Sequence, residues 1–264
     1  MNDLLLGIDV GTTAAKAALV GQDGRVEAVH QAGYRTHYLK PGWVEQHPEH
    51  WWDAVCTAVR AVLDRTPGAR DRVAGLAVSS QAPALIALDG QGQVLRPALI
   101  WMDRRAEAEA QQLSESLGFD RIFQITGNRP DPYFLAAKTL WFKNHEPHLL
   151  ARTHQFVQVN GYINFRLTGL YAVDPTHAAL MQLWHRASGE WSAEMCEACG
   201  IDLAQLPACC PGHQVLGEVT PAAAQETGLR PGTPVMVGMI DAVAAALEAG
   251  VTDTGTAAEM TGTS

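Results

Sequence analysis

Leu4-Leu5-Leu6-Gly7-Ile8-Asp9-Val10-Gly11-Thr12-Thr13 is an apolar run that ends in an acid, a glycine and two hydroxyls. A run this short reads as a buried strand, and Gly11 with the threonines reads as the tight turn that ends it. Ala14-Ala15-Lys16-Ala17-Ala18-Leu19-Val20 then returns as a second strand. Glycine has no Cβ, so the backbone at Gly11 can approach a ligand closely. Two hydroxyls and free backbone N–H groups can hold phosphate oxygens in such a turn. Asp9, at the strand end, suits a magnesium ion held through water, since hard cations prefer oxygen ligands. These parts compose a nucleotide phosphate site. An ordinary hairpin with an aspartate at its tip has the same local sequence, so the rest of the chain must decide.

The bulk properties narrow the classes. The chain has 264 residues, 47% hydrophobic and 18% charged, enough for a substantial core in one large or two small domains. A net charge of −9 argues against nucleic acid and anionic membranes as partners, because both call for a basic face. It leaves phosphate ligands open, since those sites use local amides, metals and single cations. The first ten residues lack a basic region, and Asp3 and Asp9 interrupt their apolar stretch, which is no signal peptide. No apolar segment is long enough to span a bilayer, and a cytoplasmic protein is expected. Cys196-Glu197-Ala198-Cys199 has zinc or redox spacing, but Cys209 and Cys210 are adjacent, poor geometry for one metal. Buried free thiols, with Cys196 and Cys199 on a helix capped by Ser192, are the expectation, and no metal is assigned to them.

Along the chain, Arg25 to Tyr34 reads as a third strand after the Asp23-Gly24 turn, and residues 35–47 as a polar loop. Pro48 to Leu63 carries Trp51, Trp52, Val55, Val59 and Val62 at helical spacing. Val73 to Ser79 reads as a strand, Ala98 to Trp101 as a buried strand end, and Arg104 to Leu117 as a long helix. From Gly118 to about Gly212 the pattern is mainly helical. Pro234 to Met239 is again a buried strand, followed by Asp241, the helix Ala242 to Ala249, and a possible strand from Thr256 to Met260. The alternation implies an α/β domain with a sheet core. Thr261-Gly262-Thr263-Ser264 has the composition of a second phosphate turn with nothing after it, which reads as a truncated chain or gene fragment.

Four ordered segments together resemble the FGGY family of carbohydrate kinases: Gly7 to Thr13, Ile100-Trp101-Met102-Asp103-Arg104-Arg105, Thr126-Gly127 with Asp131-Pro132-Tyr133-Phe134 and Lys138, and Gly238-Met239-Ile240-Asp241. Trp43-Val44-Glu45-Gln46-His47-Pro48 with Trp51-Trp52 looks like the corresponding segment of xylulose kinases. The resemblance covers nearly the whole chain. It implies a ribonuclease-H-like fold of the actin-like ATPase superfamily, a mixed sheet flanked by helices with a mainly helical insert. It also implies an N-terminal sugar-binding domain over residues 1–250, and over 251–264 the start of a truncated ATP-binding domain.

The activity so implied is ATP-dependent phosphorylation of a hydroxyl on a small sugar or polyol, a xylulose-like pentulose foremost, with this chain inactive alone. ATP and Mg²⁺ are the implied cofactors, and a homodimer is possible for the full-length protein. Asp241 matches the family's catalytic base, although aspartate also serves well as a helix N-cap. Asp9 matches the residue that positions magnesium and faces the transferred phosphate. Gly11, Thr12 and Thr13 would line the phosphate path, and Thr261, Gly262 and Thr263 its counterpart. Lys16 either neutralises phosphate or is a solvated strand lysine. Trp101 is either an aromatic wall or core, Asp103 a carboxylate near the sugar hydroxyls, and Tyr133 a hydroxyl contact as in glycerol kinases.

Gln81 can reach the sugar, but the next two positions depart from the family. Glycerol kinases have arginine and glutamate there, and xylulose kinases methionine and histidine. Ala82 and Pro83 cannot hydrogen-bond a polyol, so the sugar stays unnamed. Two other classes compete: an actin-like or Hsp70-like ATPase without kinase activity, and a sugar-binding remnant without catalysis. The histidines at 47, 50, 145, 148 and 154 read as scattered surface or satisfied side chains, and Arg104-Arg105 as a helix-start pair bonded to carboxylates.

Overall fold

A computed structural model describes residues 3–259; Thr261, Gly262 and Thr263, assigned above to a second phosphate turn, lie outside the described residues. The opening run forms the strand Leu4–Val10, the centre of a mixed sheet of seven strands. Ala14–Gly21 and Val26–Gly33 lie antiparallel on one side of it. Val73–Ser80 lies parallel on the other, then come Pro234–Met236 and Val215–Glu218. Helix Pro48–Arg65 starts at a proline in its first turn and packs Trp51, Trp52, Val55, Val59 and Val62 against one sheet face, as the spacing predicts. A second buried cluster holds the helical insert together, with Leu113, Ile122, Leu140, Phe142 and Phe156 among its members. Cys196 and Cys199 are in it as buried thiols, on helix Ala193–Cys199 with Ser192 as its N-cap. Burial pushes both thiols up to about 12.

Four expectations need correction. Residues 35–47 contain two strands, His37–Lys40 and Trp43–Gln46, joined at Gly42, and the second pairs with Ala98–Leu99. The polar Glu45 and Gln46 are buried there, so polarity was a poor guide to exposure. The helix expected from Arg104 begins only at Glu107, and the Arg104 N–H donates to the Gly42 carbonyl. Leu4–Val10 is buried on one face only: Leu4, Leu6, Ile8 and Val10 are inside, while Leu5 is 53% exposed beside an open trough. Residues 256–259 form no strand.

The last strand is also broken. Pro234–Met236 stops at Val237, and Met239–Ile240 resumes alongside Ser79 and Ser80. Gly238 makes the break with φ +85°, and a Cβ there would sit 2.0 Å from the Val78 carbonyl oxygen. Only glycine tolerates both demands. The break delivers Asp241, the first residue of helix Asp241–Glu248, to the sheet's end. Gly238→Ala should lower the unfolding free energy by about 3 kcal/mol or more in urea titrations. Gly169→Ala, at φ +75° with nothing within 4 Å of the added methyl, should cost only about 1 kcal/mol.

Candidate active site

Asp9 and Lys16 are register partners across the first hairpin, and the Ser79 hydroxyl donates to Asp9 Oδ1 at 3.0 Å. All three face the trough of about 840 Å³ that also exposes Gly7, Ala77 and Met239. The turn between the strands is held from outside. The Gly11 N–H donates to the Ala14 carbonyl, and the Gly11 carbonyl accepts the Tyr34 hydroxyl. A Cβ at Gly11 would meet nothing closer than 3.6 Å, so the chain's own packing does not demand glycine there. Thr13 is exposed, and its carbonyl accepts the Tyr34 N–H.

Around the corner of the same turn lies a smaller cleft of about 300 Å³, lined by Thr12, Gln81, Ala82, Trp101, Tyr133 and Asp241. Residues far apart in sequence meet here because three strands end together. The Gln81 N–H donates to the Val10 carbonyl at 2.9 Å, fixing Gln81 to the end of the first strand. Trp101 Nε1 donates to Thr12 Oγ1 at 3.1 Å, and the residue lines the cleft. The Tyr133 hydroxyl donates to the Ala82 carbonyl at 3.1 Å. Asp241 Oδ1 accepts the Ala242 N–H at 2.7 Å; Ile240, not Asp241, occupies the N-cap position. Burial pushes the Asp241 carboxyl above its ordinary value; the Ala242 N–H opposes this, and the nearby Asp9 charge adds to the rise. Burial, then Asp241, pushes the Tyr133 phenol up.

Asp103 is a correction. Its side chain is 0% exposed and forms a salt bridge with the equally buried Arg105, while Oδ2 accepts the Val44 N–H at 2.6 Å. Arg105 also pairs with Glu45, whose other partner is Arg96. A carboxylate committed to a buried guanidinium has no free lone pair for a sugar. Arg104 pairs with Asp131, so both arginines bind carboxylates, as expected. Lys138 is buried and donates to the Ile100 carbonyl at 2.7 Å, just before Trp101; burial pushes its ammonium down to about 7.

Two groupings escaped the sequence reading. His37, His47 and His50 make successive ring contacts at 5.2 and 5.0 Å rather than standing apart. His177 bonds through Nδ1 to Asp174 and through Nε2 to Ser80 Oγ at 3.1 Å. That order of groups imitates a hydrolytic triad. All three residues are buried, however, and Ser80 Oγ also accepts the Asn160 N–H, so no substrate reaches it. The group instead braces the approach to Asp241: Thr176, beside Asp174, accepts the Ile240 N–H at 3.1 Å, and Asn160 and Asn164 both donate to the Val237 carbonyl. Asp174-Pro175 was the available signal, an N-cap followed by proline with a side chain three residues on.

Residues 4–248 match the profile of the FGGY family of carbohydrate kinases, N-terminal domain. The chain is 34% identical over 260 residues to the xylulose kinase of Bacillus subtilis (strain 168), covering 98% of this chain and 52% of that protein. Among solved structures, xylulose kinase from Rhodospirillum rubrum superposes with a TM-score of 0.92 at 33% identity, over 96% of this chain and 52% of that one. Gluconate kinase from Lactobacillus acidophilus gives 0.85 at 27% identity, over 90% and 48%. The chain belongs to the FGGY family of carbohydrate kinases and has the expected actin-like fold. It spans about half the length of the curated relatives it matches.

Removing the buried charge at 103 tests the correction. Asp103→Asn should cost about 3 kcal/mol of stability by leaving Arg105 undercompensated, measured by urea denaturation.

Proposed function

We propose that residues 1–250 form the sugar-binding, phosphate-facing half of an ATP-dependent kinase acting on a hydroxyl of a small sugar or polyol. A xylulose-like pentulose is the first candidate, on the names of the relatives. The observation that carries the reading is the convergence of Asp241, Thr12, Gln81, Trp101 and Tyr133 on one cleft of about 300 Å³, with Asp9 around the corner. The cleft has room for a molecule of sugar size. Its half-buried carboxylate has a raised proton affinity, which suits a general base.

In this reading the sugar stacks against Trp101, with one primary hydroxyl donating to Asp241. Asp241 takes that proton as the hydroxyl oxygen bonds to the γ-phosphorus of the nucleotide. The bond from that phosphorus to the bridging oxygen breaks and releases ADP. Thr12 and Gly11 border the path at the turn, and Thr13 and Lys16 lie on its outer side, where an amine can offset phosphate charge. Asp9 offers the hard oxygen donors that suit magnesium, and its contact with Ser79 keeps the carboxylate at the trough's edge. When bound, the metal would offset charge on the phosphates. The apolar trough is assigned to the nucleotide side and to the other half of a full-length kinase, with residues from 251 onward leading into that half. Closure over the cleft would exclude water.

In a full-length kinase carrying these residues, Asp241→Asn should lower kcat by about 10²–10⁴-fold with KM changed little. Its base must be ionised to work and its carboxyl is raised above 3.8. The rate should therefore be full well above that raised value and fall as pH drops through it. A coupled ADP-release assay across pH checks both; normal turnover by Asp241→Asn would overturn the assignment.

A further inference from the structure

Three buried residues behind the cleft share hydrogens whose places can be worked out from their neighbours. His177 lies on helix Pro175–Met181, Asp174 is the N-cap of that helix, and Ser80 ends strand Val73–Ser80. All three are buried. Asp174 accepts the N–H groups of Thr176 and His177, the Thr176 hydroxyl, the Asn160 side-chain amide and His177 Nδ1. Five donors leave this carboxyl no place for a proton, so it is a carboxylate and the Nδ1 bonded to it carries a hydrogen. Burial works to raise the Asp174 carboxyl, and the bonds from His177 and Thr176 outweigh it and hold it below its ordinary value. Among the described residues, His177 is the one basic side chain at ion-pair distance from Asp174.

The other ring nitrogen decides the charge. Nε2 lies 3.1 Å from Ser80 Oγ, which accepts the Asn160 N–H at 3.1 Å and stands 3.2 Å from the Gln81 carbonyl oxygen. Ser80 has one proton to give. With Nε2 bare, that proton serves either Nε2 or the Gln81 carbonyl. With Nε2 protonated, the ring donates to Ser80, Ser80 donates to Gln81, and every contact in the chain is a bond. The doubly protonated ring also sets a counter-charge beside a carboxylate that is costly to bury alone. The pair stands close behind Asp241. The Thr176 hydroxyl gives its proton to Asp174 and accepts the Ile240 N–H at 3.1 Å, and Ser80 is the register partner of Ile240. Both ends of the Asp174–His177 pair therefore reach the residue before Asp241.

We infer that His177 is a positioning residue that carries both ring protons, so that its buried pair with Asp174 fixes the start of helix Asp241–Glu248 and sets a positive charge behind the Asp241 carboxylate. The use of that charge rests on the reading of Asp241 as the base. Burial is the largest influence on the Asp241 carboxyl and raises it, and His177 acts in the opposite direction. A base must be ionised to work, and a fixed charge on its buried side favours that form without an ion pair of its own. The other titratable groups nearby are few. Asp9 and Tyr133 interact with Asp241 from the trough and the cleft. Cys209 is on the strand paired with Ala172–Val173, just before Asp174. On the elements packed against helix Pro175–Met181, Lys138 is turned to the Ile100 carbonyl and His185 takes the Ser188 N–H.

The charge is read by nitrogen NMR of the 264-residue chain labelled with ¹⁵N-histidine, with His177 assigned through bonds from its backbone. At neutral pH both ring nitrogens of His177 should resonate as protonated; a bare Nε2 would overturn the inference. The effect on Asp241 is read by ¹³C titration of its carboxyl in the same chain and in His177→Gln and His177→Asn. Either amide removes a positive charge, so the proton affinity of Asp241 rises and its midpoint should move to higher pH in both variants. A packing defect alone would not shift two different amides in that one direction. An unmoved or lowered midpoint in a folded variant would overturn the field on Asp241. If neither variant folds, the unmodified chain still decides: the Asp241 carbon should show a second, smaller inflection at the pH where Nε2 loses its proton, and its absence overturns the field. Both readings are taken without substrate, so they can fail while the Asp241→Asn turnover test succeeds, and the reverse.

Discussion

Strand Val73–Ser80 is paired in parallel on both sides, and the placement of Asp9, Gln81 and Asp241 follows from that double pairing. On one side its register sets Ser79 beside Asp9 and Ser80 beside Val10, so Gln81 begins where the first strand ends. On the other it sets Ile240 beside Ser80, so Asp241 follows at the same level. Parallel strands end at a common edge, and their C-terminal ends are where open α/β sheets bind ligands. The hydrogen-bond ladder thus does for Asp9, Gln81 and Asp241 what no local sequence feature does. It brings residues separated by more than 200 positions to one edge at no extra cost in loop structure. Gly238 is the condition for this: without close passage under the Val78 carbonyl, the outer strand would not reach Ser79.

A second layer of polar groups stiffens what the ladder places. Asp103, Arg105, Glu45 and Arg96 form a buried chain of ion pairs between the hairpin 37–46 and the segment after strand Ala98–Leu99. The guanidinium of Arg105 also lies 3.8 Å from the Trp43 ring centroid, a contact that partly replaces lost hydration. Such networks are weak evidence for stability, because each charge must first leave water. Their effect is geometric here. They tie the hairpin 37–46 to the segment that leads past Trp101, where Lys138 holds the Ile100 carbonyl, and Gln46 bonds the Thr12 carbonyl in the turn after the first strand. On the opposite side, Asp174, Thr176, His177 and Asn160 brace Val237 and Ile240, the approach to Asp241.

The sheet was legible because its signals are local: apolar runs closed by glycine turns, and a helix whose tryptophans and valines recur at 3.6-residue spacing. The placement of Asp241 was legible for a related reason, since an apolar strand followed by Gly-Met-Ile-Asp announces a carboxylate at a strand end. What escaped were buried polar residues. Glu45 and Gln46 read as loop because charged and amide side chains are rarely buried unless paired, and their partners Arg105, Trp51 and Gln81 lie at other places in sequence. His177 escaped for the same reason: its partners Asp174 and Ser80 come from a helix cap and from the central strand. The exposed Leu5 is the converse case. An apolar residue on a strand face implies a cover, and in this chain that face is an open trough.

Asp103 and Asp241 show how environment, not residue type, assigns a role. Both are aspartates near the end of a short strand, and both matched a family segment. Asp103 is flanked by an arginine two residues on, which folds back to give it a bidentate pair and removes it from solvent. Asp241 has no ion-pair partner among the described residues; its Oδ1 accepts the Ala242 N–H, and burial with the nearby Asp9 raises its proton affinity against a smaller opposing effect of His177. A carboxylate bonded to a buried guanidinium and a backbone N–H, as Asp103 is, is taken up by the scaffold. One that is half-buried among neutral groups and another acid does accept a proton readily.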